Sequence, residues 1–196
     1  MTRFTVLAVC TGNICRSPFV ERLLKSRLRE ALGADADRFT IGSAGTHALV
    51  GQPIAEPAAA LLVERSADPT GFVARELTAD LVHDADLVLA ATRDHRAAAV
   101  TLQPRAAART MTVREFARLL APVAASDIAG SDPVERMAAI VAAARANRGL
   151  VAIGDPDDDD IADPYRRKRE AYILAGQQIA DVVDVILERL VPAVSG

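Results

Sequence analysis

A cysteine, a glycine-containing turn and an arginine stand together in Cys10-Thr11-Gly12-Asn13-Ile14-Cys15-Arg16-Ser17-Pro18. Their types and spacing fit capture of a phosphate-like anion and nucleophilic attack on it. Backbone N–H groups at a helix start have no intrahelical partner, and the helix dipole adds partial positive charge there. Anions bind readily at such a terminus. Gly12 and Asn13 tolerate positive φ, so the chain can curl until several amides face one point. Arg16 offers a planar fork for two oxygens of one phosphate. Thr11, Gly12, Asn13, Ile14, Cys15, Arg16 and Ser17 are therefore the expected anion cradle. A helix N-terminus with a nearby cation favours the thiolate form of a cysteine, which makes Cys10 the candidate nucleophile. Ser17 can donate a hydroxyl hydrogen bond to that sulfur. Pro18 suits the first helical turn, where its missing N–H costs nothing. A cysteine and an arginine six residues apart mean little alone. The whole string, between a strand and a helix, carries the reading.

Attack on a phosphate ester also needs an acid to protonate the leaving oxygen. Asp163-Pro164-Tyr165 is the candidate. Pro164 restricts Asp163 to an extended shape in a defined loop. A bound phosphate dianion nearby would favour the protonated carboxyl, and the deprotonated form can later activate water.

The elements that must position these groups follow an alternating pattern. Phe4–Val9 is an uninterrupted apolar run, as expected of a central parallel strand. Phe19–Leu32 is read as a helix, with Val20, Leu23, Leu24, Leu28 and Ala31 on one face and Gly33 as its stop. Phe39–Ser43 is a second strand, and an alanine-rich helix runs on to Arg65. Ala85–Ala91 is a third strand, Arg93–Leu102 a helix, Thr110–Val113 a short fourth strand and Arg114–Leu120 another helix. Pro122–Asp132 reads as loop, Pro133–Arg148 as helix and Asp157–Asp160 as a solvated acidic turn. A stripe of Tyr172, Ala175, Ile179, Val182, Val183, Ile186 and Leu190 marks a long final helix. This order predicts an α/β fold: a single-domain three-layer sandwich, with a four-stranded parallel sheet and helices on both faces. Ligands bind beyond the carboxyl ends of the strands in such folds, where the Cys10 loop leaves the first strand. Residues 121–160 are expected to form an insertion or extended connection within a domain spanning 1–196.

The chain has 196 residues, 51% of them hydrophobic, with a net charge of −3. That composition suits a globular protein and gives no electrostatic reason to expect nucleic acid as a partner. No apolar run is long enough to span a bilayer, so membrane insertion is not expected. Two cysteines and no secretory signal predict a cytoplasmic, reducing setting. His47, His83 and His95 show no metal-ligand or nucleophile spacing and are expected to be surface or structural polar residues. No metal or cofactor is called for.

Cys10–Pro18 resembles the signature of the low-molecular-weight protein tyrosine phosphatase family, without a departure. Ser43-Ala44-Gly45-Thr46 is similar to the family's second segment, and Ala74-Arg75-x-Leu77 with Ala85-Asp86-Leu87-Val88-Leu89 to its middle. Asp163-Pro164-Tyr165 resembles its acid loop. The resemblance covers most of the chain outside about 121–160. It implies phosphotyrosine and aryl-phosphate hydrolysis through a phosphocysteine, with Cys10, Arg16 and Asp163 as catalytic residues and no cofactor. Asn13, Ser17 and Ser43 would support the loop. Cys15 would be a redox partner able to form a reversible disulfide with Cys10. Phe72 stands where many relatives have a histidine, and the substrate wall is expected from Leu49, Phe72 and Tyr165. Ala48-Leu49-Val50-Gly51 and Asp163-Pro164-Tyr165-Arg166 resemble the bacterial exopolysaccharide-linked subgroup, which implies a tyrosine-phosphorylated protein partner such as a bacterial tyrosine kinase. Two alternatives stay open: an arsenate reductase or arsenate thiol transferase on the same fold, and a non-catalytic phosphate-binding or redox-sensing module. The intramolecular arsenate relay needs further cysteines, and none follows Cys15.

Overall fold

The computed structural model describes residues 2–191. Its sheet holds four parallel strands in the order β2-β1-β3-β4: β1 Phe4–Cys10, β2 Phe39–Gly45, β3 Leu87–Ala90 and β4 Thr110–Thr112. Residues Phe4–Cys10 pair in register with Phe39–Gly45, so Cys10 ends its strand opposite Gly45.

Alternate residues of the strands enter two separate cores, as the pleat requires. Phe4, Val6, Ala8, Ile41, Leu87, Leu89 and Met111 face the larger one. It is closed by α1 Arg16–Leu32, α2 Glu56–Glu64, α5 Val113–Leu120, α6 Pro133–Ala146 and α7 Arg169–Leu190. Leu7, Val9, Ala44 and Val88 face the smaller core, closed by α3 Ala79–Asp84 and α4 Arg93–Leu102. These are the three layers expected. The apolar run Val6–Val9 of β1 follows from burial on both faces, with Thr5 only half-buried. The short α3 was not anticipated: Thr78 caps it by accepting from the Leu81 amide, and Val82 is its one buried residue.

Residues 121–160 contribute to the larger core. Met137, Ile140 and Ala144 of α6 are fully buried against α5 and α7. Burial of a side chain the size of Met137 or Ile140 contributes about 1.5–3 kcal/mol. Arg136 is also buried; it donates to the Leu190 carbonyl at the end of α7 and to the Ile128 carbonyl, each at 2.8 Å. Among the described residues no helix is long and apolar enough to cross a membrane.

The helix starts differ in a way that matters for the site. α4 and α5 are capped by Thr92 and Thr112, and α6 by Asp132. By contrast, α1 has no side-chain cap and no acidic residue in its first turn. Its N-terminal partial charge is left for an anion. It also begins at Arg16, three residues earlier than the periodicity predicts, so the arginine is already helical.

Candidate active site

The turn between β1 and α1 is shaped by the segment that follows β2. The amides of Thr46, His47, Leu49 and Ala55 donate to the carbonyls of Cys10, Thr11, Gly12 and Ile14, at 2.8–3.0 Å. A peptide's N–H points opposite its C=O, so drawing these carbonyls outward turns the amides of the same peptides inward, around the cysteine. Asn13 takes the left-handed conformation, with φ 54°. Gly12, which tolerates such a φ, does not adopt one. Gly45 allows the close approach. A Cβ there would lie 2.4 Å from the Thr11 oxygen and 3.0 Å from the Asn13 nitrogen.

A directed chain of hydrogen bonds ends on the sulfur. The Arg75 backbone N–H donates to Asn13 Oδ1 at 2.9 Å, which fixes the orientation of the amide. Asn13 Nδ2 then donates to Ser17 Oγ and Ser43 Oγ, each at 2.9 Å. Ser43 passes its own proton to Glu21 Oε2 at 2.7 Å. Ser17 Oγ lies 3.0 Å from Cys10 Sγ and 3.4 Å from the Ala44 carbonyl, so its hydrogen can go to either, and a thiolate at Cys10 would draw it to sulfur. Asn13, Ser17 and Ser43 thus meet as expected. Glu21 and Arg75 complete the group; Arg75 also donates through Nε to the Ser43 carbonyl at 2.8 Å.

Arg16 is 4% exposed and held from three sides. It donates to the Ile161 carbonyl at 2.9 Å, to Thr11 Oγ1 at 3.4 Å and to Asp163 Oδ2 at 3.0 Å. Its Nε is buried without a partner among the described residues, leaving a donor for an anion. Asp163 is half exposed and accepts the Tyr165 amide at 3.2 Å. Cys10, Arg16 and Asp163, 153 positions apart at their extremes, therefore line one cavity of about 150 Å³.

The acidic run before Asp163 is solvated only in part: Asp157 and Asp158 are exposed, as its composition predicts, whereas Asp159 is buried and Asp160 half-buried. Arg118 grips the buried Asp159 carboxylate with two bonds, at 3.0 and 2.8 Å. Thr112 donates to the Asp159 carbonyl at 2.6 Å, and the Ile161 amide donates to Ala91 at 2.9 Å. Arg93 pairs with Asp157 and Asp160. Arginines from distant elements neutralise the run and make it the mount of the acid loop.

Ile14, Leu49 and Tyr165 form the apolar part of the cavity lining. Phe72 does not join them and is corrected from the expected wall. It is buried in the larger core, with the Arg22 guanidinium 5.6 Å from its ring centroid. A large apolar side chain there packs inward. Cys15 is a buried free thiol whose pKa is pushed up to about 12, by burial first and then by Cys10 and Asp163. It keeps its proton, although it lines the same cavity as Cys10 and both are buried. His47 and His83 lie toward the surface. His95 is buried, and its ring nitrogens meet Thr11 Oγ1 at 2.8 Å and Thr92 Oγ1 at 2.7 Å. Among the described residues no cluster of His, Cys, Asp and Glu could hold a metal ion.

The model of the family described as low molecular weight phosphotyrosine protein phosphatase matches residues 5–146. The chain belongs to that family. Among relatives, the low molecular weight protein-tyrosine-phosphatase Etp of Escherichia coli strain K12 is 37% identical over 107 residues, covering 55% of this chain and 67% of Etp. The structure of Vibrio vulnificus Wzb in complex with benzylphosphonate superposes with a TM-score of 0.66 at 25% identity, over 95% of this chain and 98% of that one. The YwlE arginine phosphatase of Geobacillus stearothermophilus superposes at 0.65, with 26% identity over 95% and 92% of the chains. In this phosphatase the residues that sequence reasoning missed are Glu21, Arg75 and His95. Each lies far in sequence from the group it contacts, and only the pairing of Arg75 with Ala74 in a family-like segment hinted at any of them.

Proposed function

We propose that Cys10 is the nucleophile, Arg16 the phosphoryl clamp and Asp163 the general acid and base of phosphotyrosine hydrolysis. The observation that carries this reading is the capture of four loop carbonyls by the segment after β2, from which peptide geometry turns the loop amides toward the Cys10 sulfur.

Cys10 sulfur attacks phosphorus, the bond to the phenolic oxygen breaks, and Asp163 gives that oxygen its proton. The loop amides and Arg16 hold the other phosphoryl oxygens, where charge develops. The Asp163 carboxylate then takes a proton from water as the water oxygen attacks phosphorus. The phosphorus–sulfur bond breaks, and the Ser17 hydroxyl stabilises the departing thiolate across 3.0 Å. Asp163 is reprotonated and phosphate is free to leave. A raised pKa keeps the Cys15 thiol out of this sequence.

Ile14, Leu49 and Tyr165 suit the faces of a phenyl ring. A phosphoarginine would bring a second guanidinium against these apolar walls, beside the Arg16 guanidinium. The favoured substrate is a tyrosine-phosphorylated protein, and the likeness to Etp and Wzb supports a bacterial tyrosine kinase in that role. Two free thiols accord with action in the cytoplasm. Residues 1–196 are read as one catalytic unit, with 121–160 as structural reinforcement.

The test compares turnover of peptides bearing phosphotyrosine, phosphoserine or phosphoarginine, and thiol-dependent arsenate reduction, by the native protein and Cys10→Ser. Phosphotyrosine should lead, and Cys10→Ser should abolish its turnover. A Cys10-dependent preference for phosphoarginine or arsenate would overturn the substrate assignment.

A further inference from the structure

We propose that His95 is a positioning residue for Arg16, acting through the Thr11 hydroxyl. The inference rests on the assignment of Arg16 to phosphoryl binding. Three hydrogen bonds run in series from the first turn of α4 to the clamp: Thr92 Oγ1 to His95 Nδ1 at 2.7 Å, His95 Nε2 to Thr11 Oγ1 at 2.8 Å, and Arg16 Nη2 to Thr11 Oγ1 at 3.4 Å.

The direction of the series follows from what each atom can do. Arg16 has only donors, so Thr11 Oγ1 must accept from it. The Thr11 hydrogen is then best used toward His95 Nε2, which requires that nitrogen to be unprotonated. The remaining ring hydrogen sits on Nδ1 and points to Thr92 Oγ1, which also accepts the His95 backbone N–H at 3.4 Å. A doubly protonated imidazole would reverse the central bond and turn the Thr11 hydrogen toward the guanidinium. Two features keep the ring neutral. It lies at the positive N-terminal end of α4, and its pKa is pushed down to about 4, by burial first and then by the Arg16 charge.

The arrangement has a specific use. Of the three acceptors on Arg16, Asp163 is half exposed and must be free to serve the leaving group. Ile161 and Thr11 remain to aim the guanidinium. The Ile161 carbonyl is anchored through its backbone, whereas a lone threonine hydroxyl can rotate. His95 removes that rotation. The alternative, that His95 merely fills space beneath the loop, leaves both ring hydrogen bonds without a role.

The experiment measures kcat and KM for nitrophenyl phosphate, and inhibition by vanadate and by inorganic phosphate, in His95→Ala, His95→Gln, Thr11→Val and the double variant His95→Ala/Thr11→Val. Urea midpoints are followed alongside. Losing one bond in the support of a charged group is expected to lower kcat in His95→Ala by roughly tenfold, with KM little changed. Vanadate, which mimics the five-coordinate transition state, should weaken more than phosphate. Gln places an amide near the Nε2 position and should restore most of the rate. The double variant should be no slower than Thr11→Val. Additive losses in the double variant, or rates in His95→Ala that fall only with the folded fraction, would overturn the inference. Should His95→Ala not fold, the rate and vanadate affinity of His95→Gln and Thr11→Val decide: a tenfold loss in Thr11→Val and native values in His95→Gln support it, and native behaviour of Thr11→Val defeats it. Persistent activity in Cys10→Ser would instead defeat the underlying assignment of the site.

Discussion

Arg16 Nη2 and Asp163 Oδ2 lie 3.0 Å apart, joining a nearly buried guanidinium to a half-exposed carboxylate at the mouth of the cavity. An incoming phosphoryl group competes with Asp163 for the same arginine. Its arrival both frees the carboxylate and, by its own charge, favours the protonated form needed at the leaving oxygen. The pair therefore links substrate binding to readiness of the acid.

Asp163→Asn should cut kcat for phenyl esters by roughly 100-fold or more, with a smaller loss for esters whose leaving group needs no proton. Inorganic phosphate should bind the variant more tightly, because Arg16 loses its competing anion. A plot of log kcat against leaving-group pKa should steepen, and an unchanged slope would move the acid elsewhere.

The two cysteines should differ sharply toward alkylating agents. Iodoacetamide should label Cys10 in the folded protein, with phosphate protecting it. Both thiols are buried and line the cavity, so burial does not separate them; Cys15 holds its proton up to a pKa of about 12 and should therefore react far more slowly. Peptide mapping after partial labelling distinguishes them, and equal labelling would contradict the described environment.

This contrast shows what a sequence can disclose. Cys10–Pro18 is contiguous, so its chemistry is written in one stretch, and the alternation of apolar runs with helical stripes reveals the layers around it. Asp163 was found because a proline and a tyrosine marked its loop. His95 carries no such mark: its partner Thr11 is 84 positions away. Phe72 misled because position in an alignment of motifs does not tell whether a ring faces a cavity or a core. The acidic run misled because identical aspartates have different fates once Arg93 and Arg118 arrive from other elements. Local pattern identifies the nucleophile loop, and tertiary partners decide its support.

Gly45→Ala should disturb the loop and not the sheet alone. Its Cβ would press on the Thr11 oxygen and the Asn13 nitrogen, both backbone atoms with little room to yield. Overpacking of this kind costs about 1–3 kcal/mol. Urea unfolding should show that loss, and phosphate affinity should fall more than stability predicts.

Arg118→Leu should strand the buried Asp159 carboxylate and cost roughly 3–5 kcal/mol. It should also slow turnover, since Asp159 lies two residues from the carbonyl that holds Arg16. Arg118→Leu/Asp159→Leu should recover much of the stability. Chemical denaturation and kcat of the three proteins check both parts.

His95 gives the pH dependence of stability a definite sign. Its folded pKa of about 4 lies below the ordinary value of 6.5, so the unfolded chain binds the extra proton first. The associated stability is fully present above about pH 6.5 and is lost as pH falls toward 4. Arg16, Asp163, Asp94 and Asp160 are the charges that act on the ring. His95→Gln should flatten the fall in urea midpoint over that window relative to the native protein. An identical slope would show that the imidazole does not titrate there.

The capture of the Cys10, Thr11, Gly12 and Ile14 carbonyls by amides from residues 46–55 also has a thermodynamic consequence. The anion cradle cannot exist until the chain has completed an α-helical excursion and returned to set β2 beside β1. Phosphate can then bind only molecules that are already native in this region, so it stabilises the folded state by mass action. Adding phosphate should raise the urea midpoint of the protein.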